Sequence, residues 1–93
     1  MASRRDFKKD VNFLTNEIFM RSIIHLEFFG KRNSDEVYNI MNEAADARNN
    51  YVARINQKID KKADIKPHFK LIYDDLLKST HDLLEKIDNL DIE

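Results

Sequence analysis

The stretch FFGKRNSDEV, Phe28 to Val37, decides the fold, because it holds the single glycine of the chain between two long apolar patterns of helical period. Gly30 suits the left-handed backbone conformation that commonly ends a helix. Asn33 or Ser34 is then placed to cap the next helix. Asp35 and Glu36 follow in its first turn, where unpaired N–H groups and the helix dipole favour negative charge. A second seam, DKKADIKPHF from Asp60 to Phe69, holds the single proline. Pro67 is tolerated there as a first-turn residue, since the N–H it lacks has no acceptor inside a helix.

The two seams cut 93 residues into three segments, and each reads as an amphipathic helix. The first is predicted over about residues 4–29, opening at Ser3, whose hydroxyl can pair reciprocally with Asp6 in a capping box. Phe7, Val11, Leu14, Ile18 and Phe29 hold one face of it, with Ser22 and His25 on the same stripe. The second, about 34–60, carries Val37, Met41, Ala44, Tyr51, Val52, Ile55 and Ile59. The third, about 65–90, carries Phe69, Ile72, Tyr73, Leu76, Leu83, Leu84, Ile87 and Leu90. Long helices joined by short loops become antiparallel neighbours, so the predicted fold is all-α: an up-down-up three-helix bundle forming one domain over residues 1–93.

Composition narrows the function classes. Without cysteine there is no disulfide and no thiolate metal site. The opening MASRRDFKKD is basic but has no export-type apolar stretch behind it. The most apolar window, Ile18 to Phe29, is interrupted by Arg21, His25 and Glu27 and is too short to span a bilayer. The expectation is a cytoplasmic protein with no membrane contact. Bundle metal sites need Glu-x-x-His pairs on facing helices, and none of the three histidines has a glutamate three residues before it. No nucleophile elbow and no phosphate-cradling glycine loop is present. A small bundle also encloses little concave volume for a substrate. The chain therefore reads as a non-enzyme with no cofactor and no metal.

Folding the segments into a bundle separates charges that nearly cancel over the whole chain. One end collects Arg4, Arg5, Lys8, Lys9, Arg54, Lys58, Lys61, Lys62, Lys66 and Lys70 against Asp6, Asp10, Asp60 and Asp64. The other gathers Glu17, Glu27, Asp35, Glu36, Glu43, Asp46, Asp82, Glu85, Asp88, Asp91 and Glu93 against Arg21, Lys31, Arg32 and Lys86. Such poles serve either as solvated helix ends or as a docking field, the basic one for a nucleic acid or another anion. The loops join helices too long for a helix-turn-helix reader, and His68 is the main aromatic candidate for stacking at that pole.

The first helix is the second anomaly. Beyond Ile18, the residues Phe19, Met20, Ile23, Ile24, Leu26 and Phe28 carry apolar character nearly all the way round, and Phe13 joins them. Either a wide core absorbs Phe19, Ile24 and Leu26 at its boundary, or the excess surface is covered by another subunit or partner protein. Phe13, Phe19, Met20 and Ile23 are the expected contact residues of a homodimer, and apposing two copies of this helix antiparallel would set opposite poles side by side.

Polar residues also fall on or beside the predicted core stripes. Arg48 is expected at the edge of the core with its head paired to Glu17 or Asp10, the alternative being an anion-binding arginine. His25 reads as a hydrogen-bonded core or boundary histidine. Finally, SRRDFKKDVN near the start, the apolar-aromatic helix after it and the segment NEAADARNNYVARIN give the chain a texture that resembles a group of small uncharacterised all-helical bacterial proteins. That resemblance implies a helical, non-enzymatic protein and carries no activity with it.

Overall fold

A computed structural model describes residues 4–90 of the chain. Three helices make up the fold: α1 (Arg4–Phe29), α2 (Ser34–Asn56) and α3 (Ile65–Leu90), with one 3-10 turn at Lys62–Asp64 leading into α3. They run up, down and up in a rod 50 × 19 × 18 Å. The expected Ser3 cap lies outside the described residues.

At the first seam, Gly30 has φ +60° and its N–H bonds the Leu26 carbonyl at 2.8 Å. Asn33 also sits in the left-handed region, at φ 60°, and makes no side-chain cap for α2. The expectation that Asn33 caps α2 is therefore corrected. Its amide Nδ2 instead reaches the Leu90 carbonyl at 3.4 Å, tying the loop to the last turn of α3, where carbonyls lack helical partners.

The second helix stops at Asn56, four residues short of the predicted 60. Gln57 is extended, at φ −61° and ψ 134°. In the run after it, Ile59 is the one apolar side chain available to hold another turn. At this end the Arg54 carbonyl accepts from the Gln57 N–H at 3.2 Å and from His68 Nε2 at 2.8 Å. His68 is thereby half-buried as a cap on α2, and its expected role as an open stacking aromatic does not hold.

The core lies in two clusters. Val11, Tyr51, Ile55, Ile72 and Leu76 form one, with Phe7, Leu14 and Phe69 packed against it. Ile18, Ile40, Ala44, Leu83 and Ile87 form the other. Thr15 lies between Val11 and Ile18 on α1, and Thr80 between Leu76 and Leu83 on α3; both are buried, giving the core a polar waist. Thr15 Oγ1 and Ser22 Oγ each donate to the carbonyl four residues back, at 2.8 and 2.7 Å, so α1 satisfies its buried hydroxyls internally. Tyr73, placed on the core stripe from its spacing, is largely exposed and touches Phe7 edge-on at 5.9 Å.

The Gly30 conformation yields a clean test, because a Cβ added there would meet nothing within 4 Å. Any cost of Gly30→Ala is therefore a backbone cost, about 1 kcal/mol, and Gly30→Asn should recover most of it. Denaturant melts of the two variants measure this; an alanine variant as stable as the native chain would contradict the left-handed assignment.

Candidate interaction surface

The core stripe of α1 is Val11, Thr15, Ile18, Ser22 and His25. At 100° per residue these positions share one face, and a second stripe emerges on the opposite side. Phe13, Met20, Ile24 and Phe28 are 62, 59, 49 and 80% exposed. With Glu17 they repeat at steps of four, three, four and four residues, the spacing of a helix seam that packs on another helix. Ile23 flanks this stripe and is also exposed.

Two residues change places relative to the sequence expectation. Phe19, expected at the outer contact, is half-buried against the Ile18–Ile40–Leu83 cluster and belongs to the core. Ile24, offered as an absorbed boundary residue, is exposed, and Phe28 extends the outer stripe by a further turn. The signal that finds them is the alternating four-three step from Phe13, which a scan centred on the core stripe passes over.

The patch continues onto α3. Asp10, Phe13, Leu14, Tyr73 and Leu77 line a recess of about 230 Å³ between the two parallel helices. A second recess, about 280 Å³, is bounded by Ile24, His25, Phe28, Phe29 and Ile87, with Arg21 and Asp88 among its walls. Arg21 Nη1 reaches both oxygens of Asp88, at 2.8 and 3.0 Å, and clamps α1 to α3. This pair is about half exposed on each side, so it orients the helices more than it stabilises them.

His25 is buried, with its ring 4.6 Å from that of Phe29, as a core histidine at the end of the second cluster. Arg48 lies half-buried at the core edge as expected, but its partners differ. Nε donates to Asn12 Oδ1 at 2.9 Å and Nη1 to Asn49 Oδ1 at 3.1 Å, in place of the expected Glu17 and Asp10. The reason is azimuthal: Asn12 faces α2, whereas Glu17 and Asp10 sit on the outer side of α1 toward α3.

The basic pole forms at the end where α1 and α3 start and α2 stops. Arg4 bonds the Gln57 carbonyl at 3.4 Å, and the Phe7 and Phe69 rings meet at 6.0 Å. Arg4, Arg5, Lys8 and Lys9 leave the first turns of α1; Lys58, Lys61, Lys62 and Lys66 leave the connector and the start of α3. Arg54 is taken up by Asp75 at 3.1 Å and stands 5.7 Å from the Tyr51 ring centre, and Lys70 pairs with Asp74 at 3.0 Å. Among the described residues no group of three His, Asp or Glu side chains converges as a metal site, and no helix is long and apolar enough to cross a membrane.

No family model matches the chain, and no curated protein or solved structure is significantly similar to it.

The geometry of Arg48 makes a stability prediction. Its partners are neutral amides and it is only half-buried, so Arg48→Leu should change stability by no more than about 0.5 kcal/mol. Asp10→Asn and Glu17→Gln should be equally quiet. Thermal melts of the three variants decide it; a loss above about 2 kcal/mol from Arg48→Leu would mean that its charge holds the bundle together.

Proposed function

We propose that this chain is a non-enzymatic helical interaction module of the cytoplasm that acts as a homodimer, joined through the outer face of α1. One observation carries the reading: α1 has a second apolar stripe, Phe13, Met20, Ile24 and Phe28, opposite the stripe that builds its own core. A peripheral helix of a three-helix bundle needs one buried face, and a contiguous second one marks an interaction site. A second copy is the favoured occupant because the poles of the rod are complementary to those of its twin, and closed two-fold dimers are the commonest assembly of soluble chains.

The decisive measurement is light scattering across a concentration series. The native chain should run as a dimer, and Met20→Lys/Ile24→Glu as a monomer with its helicity intact by circular dichroism. A native chain that stays monomeric at high concentration would assign the patch to a different protein.

A second reading rests on a separate observation. Lys58, Lys61, Lys62 and Lys66 crowd a short connector that also lines a recess with Ile59, Pro67 and Leu71, and among the described residues none of these four lysines is ion-paired. The basic pole would then bind a nucleic acid or another polyanion as an accessory protein. Such binding must weaken steeply with salt. Retention on heparin or duplex DNA in dilute buffer, lost on moderate salt, is the expected result; no retention even in dilute buffer would eliminate this reading.

A further inference from the structure

The net charges at the ends of α1 and α3 run against their own helix dipoles. Helix N-termini favour carboxylates and C-termini favour cations. The middle helix obeys, with Asp35 and Glu36 in its first turn and Arg54 in its last. By contrast, α3 has no acid in its first turn and no cation in its last, and carries Lys66 and Asp88 in those places. In α1, Arg4 and Arg5 outnumber Asp6 in the first turn, and Glu27 stands in the closing turn, again with no cation there. These two helices are parallel, so their dipoles add to the charge separation along the rod in place of offsetting it. Asp88 has one use inside the monomer, its pair with Arg21, yet the net charge still sums with the dipoles at both ends of the rod, and such a separation suits a contact between molecules.

From this we infer an antiparallel, charge-matched dimer in which two copies of α1 pack outer face to outer face about a two-fold axis between Glu17 and Met20; the inference rests on the self-association proposed above. The four-three spacing fixes the register. Phe13 lies against Ile24 of the partner subunit and Glu17 against Met20 of the partner subunit, each contact occurring twice by symmetry. The same register sets Lys9 beside Glu27 of the partner subunit, a cation placed where Asp10 would otherwise meet that glutamate unscreened. Each basic pole, with Lys58, Lys61, Lys62 and Lys66 at its tip, then lies beside the acidic pole of the twin. Parallel packing would bring pole onto like pole, which opposes association.

The chain lacks cysteine, so a single introduced one takes a spin label cleanly. In the antiparallel register Lys9→Cys labels are separated by 19 residues of rise, about 30 Å with the interhelical spacing included, and Asn16→Cys labels by about 12 Å. Pulsed dipolar spectroscopy of the full chain reads both. A long distance at position 9 with a short one at position 16, and a dimer dissociation constant rising several-fold from low to high salt, is the expected pattern. Short distances at both positions, or association that tightens with salt, would overturn the antiparallel arrangement while leaving self-association standing. Absence of any intermolecular distance at concentrations where the native chain is studied would overturn self-association itself.

Discussion

Burial of one stripe of α1 against the other two helices is the constraint on which the rest of the fold depends. Val11 and Ile18 each anchor one of the two core clusters, so α1 links the halves of the rod. Yet the residues between and beyond them on that stripe are Thr15, Ser22 and His25. The helix is thus held by few large apolar contacts, supplemented by hydroxyls that satisfy themselves on their own backbone. Small residues on the inner stripe let α1 approach α2 closely, and it packs more intimately along α2 than along α3. The looser α1–α3 seam is where both apolar recesses lie and where the Arg21–Asp88 pair bridges the surface.

The architecture was legible in the sequence because its punctuation is sparse and physically strong. Gly30 ends α1 in the left-handed conformation that its missing Cβ permits, and Pro67 sits in the first turn of α3. Less legible were places where a long-range bond replaces a local one. Asn33 looked like an N-cap by residue type, but the chain arrives at α2 in the left-handed region and the amide serves α3 instead. The end of α2 could not be placed from periodicity, since Ile59 keeps the pattern going while His68 takes the Arg54 carbonyl. Tyr73 satisfied the helical spacing yet stands outside, because its ring closes over Phe7 at the seam.

The surface was half legible for a related reason. Counting apolar residues around α1 exposes the excess, but assigning them needs the azimuth of α2, known only once the bundle is built. Phe19 turns toward the second cluster on that side, and Ile24 turns away. The same azimuth explains Arg48: Asn12, on the α2 side, intercepts the guanidinium before either carboxylate of α1 can reach it. Charge, in contrast, could be read almost directly, because the poles follow from chain direction and loop positions without any side-chain detail.

An amphipathic helix with two apolar faces raises the question of what decides which face is inside. Here the outer stripe carries the larger side chains, Phe13, Met20, Ile24 and Phe28, so hydrophobicity taken by itself would turn it inward. Glu17 sits in the middle of that stripe, and rotating α1 by half a turn would turn its carboxylate into the core, where no described buried residue is a cation. Burying an uncompensated charge outweighs the transfer gain of one or two apolar side chains. The inner stripe instead holds two aliphatics, two hydroxyls bonded to their own helix, and one imidazole tilted against the Phe29 ring. Glu17 thus keeps the larger apolar stripe of α1 on the outside of the bundle.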